Sequence, residues 1–85
     1  MKEVTIYTTT SCSYCVRAKA LLGRKGVPYK EVDVTGDDAA RERLVEISDG
    51  AKTVPQIWVG TEHVGGYTDL AELEQAGRLD ALLAG

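Results

Sequence analysis

The chain has 85 residues, 44% apolar and 27% charged, with a formal net charge of −3 at neutral pH. That length leaves room for one domain, residues 1–85, near the lower limit for a core that holds together without staples. Acids and bases are interspersed, leaving no basic stripe for nucleic acid or anionic lipid, and no apolar run approaches the ~20 residues that cross a bilayer.

The first residues, Met-Lys-Glu-Val-Thr-Ile-Tyr-Thr, put a charged pair ahead of an alternating segment. No apolar leader with a small-residue cleavage site is visible, and a cytoplasmic location is expected. From Glu3 to Thr8 the side chains alternate, Val4, Ile6 and Thr8 against Thr5 and Tyr7, and β-branched and aromatic types dominate, which predicts a strand. Thr9, Thr10 and Ser11 break the pattern. From Ser13 the apolar positions Val16, Ala18, Ala20, Leu21 and Leu22 fall at helical spacing until Gly23 and Gly26. A second strand is expected over Tyr29 to Val34, after Val27-Pro28. A second helix is expected from about Asp37 to Ser48, capped by Gly36-Asp37 and ended near Gly50. Two short runs follow, Gln56 to Val59 and Glu62 to Gly65, and the Gly60-Thr61 pair between them predicts a tight antiparallel hairpin. From Thr68 onward Leu70, Leu73, Leu79, Leu82 and Leu83 return to helical spacing, with Gly77 dividing the segment into two short helices. A β-α-β unit followed by a helix, a hairpin and helices implies an α/β fold, a mixed four-stranded sheet with helices on both faces.

Only two cysteines occur, Cys12 and Cys15. A bridge between them would close almost no loop and so would stabilise little through the unfolded chain. Structural zinc needs four ligands, and His63 is the only further nitrogen or sulfur donor of the usual kinds, so no metal site is assigned. A C-x-x-C directly after the first strand of a β-α-β unit is instead the thioredoxin-like redox arrangement. The attacking species in such chemistry is a thiolate. If the helix begins at Ser13, Cys12 sits at its N-cap, where free N–H groups and the positive end of the helix dipole favour a negative sulfur. Cys15 lies one turn on, about 5–6 Å away in an ideal helix, placed to resolve a mixed disulfide. The bland alternative is a pair of small hydrophobic residues that happen to begin a helix.

At this point the chain resembles the glutaredoxin family along its whole length. The resemblance rests on Ile6-Tyr7-Thr8 leading to Cys12-Ser13-Tyr14-Cys15, on Thr53-Val54-Pro55-Gln56-Ile57-Trp58-Val59, and on Gly65-Gly66-Tyr67-Thr68-Asp69-Leu70, in that order and at that spacing. It implies a thioredoxin-like fold and a glutathione-dependent thiol-disulfide oxidoreductase of the dithiol type. Such an enzyme reduces protein disulfides and protein-glutathione mixed disulfides, with Cys12 as nucleophile and Cys15 resolving. It also implies that Pro55 is cis and faces Cys12, so that the Val54 backbone can pair with glutathione as a short added strand. Residues implied to bind glutathione are Tyr14, Lys52, Thr53, Val54, Pro55, Gly66, Tyr67, Thr68 and Asp69, with Lys52 meeting the glycyl carboxylate and Asp69 near the ligand's ammonium group. Thr68-Asp69 is expected to cap the third helix, and Gly65-Gly66 to permit close backbone approach.

Each of these positions also has a plainer reading. Pro55 can simply begin a strand, Lys52 can be solvated surface, and Thr68-Asp69 can be an ordinary cap. Trp58 reads as hairpin core rather than a stacking platform, and His63 as surface without a partner.

Two departures from the family pattern stand out. Thr9 occupies the place of a lysine common in the family, and Ser13 that of the usual proline, so a hydroxyl is expected beside the sulfur. Ser13 also raises an alternative from a different class, a carrier in which two copies, each giving Cys12, and two glutathiones hold a [2Fe–2S] cluster. In the enzyme reading no cofactor beyond glutathione is expected. The partners are then glutathione and disulfide or glutathionylated proteins, and the chain acts as a monomer.

Overall fold

The computed structural model describes residues 1–85, in which the first strand, β1, runs Val4–Thr8. Its alternation has the expected outcome: Val4, Ile6 and Thr8 are buried, and Thr5 and Tyr7 are half-buried on the other face. Helix α1, Ser13–Arg24, follows with Cys15, Ala18, Leu21 and Leu22 buried. Gly23 lies inside the helix rather than ending it, and the chain turns only at Gly26, whose φ of 69° favours glycine. Strand β2, Tyr29–Asp33, is parallel to β1 in the register Val4↔Tyr29 to Thr8↔Asp33. One further bond, Val34 N–H to Thr8 O at 2.9 Å, lies past its last paired residue. Helix α2, Asp38–Ile47, begins after Asp37, whose carboxylate accepts from Ala40 N–H at 3.0 Å as an N-cap.

Strand β3, Gln56–Val59, is antiparallel to β1, and β4, Glu62–Gly65, is antiparallel to β3 across Gly60-Thr61. The sheet order is β2-β1-β3-β4. Helices α3, Tyr67–Gln75, and α4, Leu79–Ala84, complete the chain, divided at Gly77 as expected.

A single apolar cluster joins Val4, Ile6, Ile57 and Val59 of the sheet to Ala18, Leu21 and Leu22 of α1, Leu70 of α3, and Leu79 and Leu83 of α4. At roughly 1.5–3 kcal/mol for each large apolar side chain buried, this layer is the main favourable term in folding. Helix α2 takes no part in it; its buried Leu44 lies outside the cluster.

Charged groups tie the layers together. Lys25, at the C-cap of α1, reaches Asp80 at 2.8 Å and Glu74 at 2.9 Å, with its side chain only 16% exposed. Hydrogen bonds to Asp80 and then Glu74 hold its ammonium charged beyond its ordinary range. Glu31 of β2 accepts from the Thr8 hydroxyl at 2.7 Å and from Lys19 at 3.0 Å, and these two bonds, Thr8 first, hold its carboxyl below the usual glutamate range. The end of β1 and the second turn of α1 are thereby fastened to the same carboxylate.

Candidate active site

The loop leaving β1 delivers Cys12 to the N-cap of α1, in extended conformation. Its sulfur does what a serine or aspartate oxygen does at other helix starts: it accepts the Cys15 N–H, at 3.0 Å. The first intrahelical bond runs from Val16 N–H to Cys12 O at 3.2 Å, so the N–H groups of Ser13 and Tyr14 have no partner within the helix. No acidic residue lies in this first turn. The Cys12 and Cys15 sulfurs are joined as a disulfide, their Cα atoms 5.2 Å apart. Cys12 is half-buried and Cys15 is 1% exposed. The Ser13 hydroxyl, expected beside the sulfur, makes no hydrogen bond to it in this oxidised state; the contacts of Cys12 Sγ are Cys15 N–H and, at 3.6 Å, the Val54 carbonyl oxygen.

That second contact brings the distant Thr53-Val54-Pro55 segment to the thiols. The Val54-Pro55 peptide bond is cis, as the resemblance implied. Neither the N–H nor the C=O of Val54 pairs with another backbone group. A cleft of about 470 Å³ opens beside this segment, within the usual span of small-molecule sites. Its lining includes Tyr14, Thr53, Val54 and Pro55 together with Gly65, Gly66, Tyr67, Thr68 and Asp69. Tyr14 and Tyr67 stack across one end with centroids 6.0 Å apart, and Arg17 lies over the Tyr14 ring at 5.3 Å.

The N-terminus of α3 forms part of the same lining. Thr68 does not cap this helix, contrary to expectation. The helix begins one residue earlier, at Tyr67, with Gly66 as N-cap, and Asp69 at the third helical position accepts the Gly66 N–H at 2.9 Å. The shift has a local cause: Gly65 adopts φ 114°, and a Cβ there would strike the Asp69 carboxylate, so the turn closes tightly one residue early. Gly66 has no side chain to return the bond. Because the first intrahelical bond is Leu70 N–H to Gly66 O at 3.1 Å, the N–H groups of Tyr67, Thr68 and Asp69 have no partner within the helix.

Of the sequence-predicted residues, Tyr14, Thr53, Val54, Pro55, Gly66, Tyr67, Thr68 and Asp69 thus line one cleft, with the Cys12 sulfur at its Val54 end. Lys52 is not among them. It is exposed and borders a separate depression with Arg41, Leu44 and Val45 of α2, although its neighbour Ala51 reaches the cleft. Three cleft residues escaped the sequence reading, Ala51, Gln56 and His63. His63 is exposed but not unpartnered: it stacks on Trp58 at 4.5 Å and its Nε2 lies 2.7 Å from Gln56 Oε1. The signal was present in the two-residue Gly60-Thr61 turn, which sets Val59 against Glu62 and Trp58 against His63.

A glutaredoxin family model matches residues 4–64. A glutaredoxin of Pseudomonas aeruginosa is 54% identical over 84 residues, covering 99% of either chain, and glutaredoxin 3 of Escherichia coli K12 is 48% identical over 83 residues, covering 98% of this chain and 99% of that one. The solution structure of a glutaredoxin from Brucella melitensis, 48% identical, superposes with a TM-score of 0.86 over 98% of this chain and 89% of its own. A buckwheat glutaredoxin in complex with glutathione, 28% identical, gives 0.88 over 95% of this chain and 76% of its own. These superpositions place the sheet and its helices in the thioredoxin-like fold. With a C-x-x-C pair at disulfide distance on the first helix of that fold, the chain belongs to the glutaredoxin family and is a thiol-disulfide oxidoreductase.

Proposed function

We propose that the protein uses glutathione to reduce protein disulfides and protein-glutathione mixed disulfides, with Cys12 as the attacking sulfur and Cys15 as the resolving one. One observation carries this reading: Val54, whose N–H and C=O have no backbone partner, lines the same cleft as the open N-terminus of α3, with its carbonyl oxygen 3.6 Å from the Cys12 sulfur. A tripeptide laid along the cleft can pair its backbone with Val54 as an added strand and direct a carboxylate to the free N–H groups of Tyr67, Thr68 and Asp69. Its cysteine sulfur would then lie at Cys12.

In the first step the Cys12 thiolate attacks the glutathionyl sulfur of a mixed disulfide. The old S–S bond breaks and the substrate protein leaves as a thiolate, which takes up a proton. In the second step a glutathione thiolate attacks the glutathionyl sulfur now on Cys12, giving oxidised glutathione and free Cys12. Alternatively the Cys15 thiolate attacks Cys12 Sγ, releasing glutathione and leaving the Cys12-Cys15 disulfide for two glutathiones to reduce. The N-terminus of α1, with no carboxylate in its first turn, favours the thiolate in every step. In this reading the protein works as a monomer in the reducing cytoplasm.

The test is turnover of a glutathionylated peptide coupled to glutathione reductase. Cys12→Ser should abolish it, and Cys15→Ser should retain it through the glutathione route; activity surviving in Cys12→Ser sinks the assignment.

Ser13 keeps a second reading in view. It is exposed at the first helical position with no hydrogen-bond partner of its own, leaving the face beside Cys12 uncovered for a [2Fe–2S] centre shared by two copies and two glutathiones. A colourless monomer after anaerobic reconstitution with iron, sulfide and glutathione removes it.

A further inference from the structure

His63 lies beyond the thiols and beyond the residues the family resemblance assigns to glutathione, yet it forms part of the cleft wall. Its partners define a chain of contacts. Gln56 is 4% exposed, and its Nε2 lies 3.0 Å from the Thr53 carbonyl oxygen and 3.4 Å from the Thr53 hydroxyl. A carbonyl only accepts, so the Gln56 atom facing it must be the NH₂ group. The other end of the amide is therefore its oxygen, and that oxygen faces His63 Nε2 at 2.7 Å. Two acceptors cannot bond, so His63 carries its hydrogen on Nε2. The order of donation is fixed: His63 to Gln56, and Gln56 to Thr53.

The near end of this chain is anchored to the sheet. His63 stacks on Trp58 with 23° between the planes, and Trp58 meets the Tyr7 ring edge-on at 5.2 Å, so one aromatic row crosses β4, β3 and β1. The far end is the carbonyl of Thr53, the residue preceding the unpaired Val54 backbone. Loop backbone without strand partners needs some other restraint if it is to present donors and acceptors in a fixed place.

We propose that His63 is a positioning residue for the recognition of glutathionyl substrates: through Gln56 it holds the Thr53-Val54 backbone in the orientation that accepts the added peptide. This rests on the glutathione reading above and deepens it by identifying what holds that backbone still. His63 does not touch the reacting sulfurs, so its influence falls on substrates that use the backbone and spares those that use Cys12 alone.

The experiment compares two second-order rate constants for the fully reduced protein in single turnover. One substrate is a glutathionylated peptide; the other is an aromatic disulfide with no glutathionyl group. His63→Phe keeps a ring to stack on Trp58 and lacks the Nε2–H, whereas His63→Gln returns an N–H donor at about the same reach. His63→Phe should slow reaction with the glutathionylated peptide about fivefold, the scale of one net hydrogen bond, and leave the aromatic disulfide unchanged. His63→Gln should restore most of the loss. Equal slowing toward both substrates, no slowing in His63→Phe, or no recovery in His63→Gln would each overturn the inference. A wild-type protein with no preference for the glutathionylated peptide would instead overturn the glutathione reading itself.

Discussion

Two helices begin at the walls of one cleft, and they satisfy their first turns in opposite ways. At α1 the cap is a sulfur, Cys12, and no carboxylate lies in the first turn. At α3 the cap is a glycine with no side chain, and the acid, Asp69, sits at the third position and reaches back to the Gly66 N–H. Both helix dipoles present positive ends and unpartnered N–H groups. At α1 that field falls on an atom of the protein itself, the one whose negative form is chemically useful. At α3 the carboxylate anchors the turn from one side, while bare backbone N–H groups remain for an anion supplied from outside. In the proposed function the same local physics serves reactivity in one place and recognition in the other, and what separates the two is where the acid is put.

The largest effect is expected from removing the sulfur. Cys12→Ser and Cys12→Ala should both be inactive, but serine keeps an oxygen that can accept the Cys15 N–H and alanine keeps nothing. Chemical denaturation of the two variants should show the alanine form less stable by about 1 kcal/mol. Equal stabilities would mean that the 3.0 Å Cys15 N–H to Cys12 Sγ contact contributes nothing as a cap.

Next comes the other helix start. Gly65→Ala must adopt φ near 114° and displace the Asp69 carboxylate, which should cost at least about 2 kcal/mol. In a domain of this size that is a fall of roughly 10 °C in the thermal midpoint. Coupled turnover of a glutathionylated peptide should fall further than reaction with a simple aromatic disulfide, because the damage is to the part of the cleft proposed to bind glutathione.

The smallest expected change makes α1 resemble α3. Ser13→Asp puts a carboxylate into the first turn beside Cys12, where like charge opposes the thiolate. The rate of alkylation by iodoacetamide at neutral pH should drop about threefold to tenfold, and its pH profile should move to the alkaline side. An unchanged profile would show that the helix start does not govern the reactivity of Cys12.

Much of this arrangement was legible in the chain. The alternation of Val4, Ile6 and Thr8, the start of α1 at Ser13 and both hairpin strands are local patterns, and local patterns survive into the structure when the core agrees with them. The misses are of another kind. Thr68 and Asp69 are both good cap formers; Asp69 does take part, its carboxylate accepting the Gly66 N–H from the third helical position, but the N-cap itself is Gly66 and Thr68 caps nothing. Lys52 is drawn to the site by its neighbours in sequence, and it borders a depression with Arg41, Leu44 and Val45 that shares Ala51 and Val54 with the cleft. His63 reads as unpartnered in the chain because both of its partners, Trp58 and Gln56, lie on another strand.

The unequal burial of the two sulfurs has a consequence for how the enzyme can cycle. Cys15 is sealed at 1% exposure while Cys12 meets solvent, so every electron pair entering or leaving the molecule passes through a single port. In the proposed cycle the port is used in turn: the substrate protein leaves as a thiolate before a second glutathione attacks the glutathionyl sulfur left on Cys12. The sealed sulfur is also shielded from capture by a foreign thiol, so in the proposed dithiol route an exchange that stalls at Cys12 is completed from within.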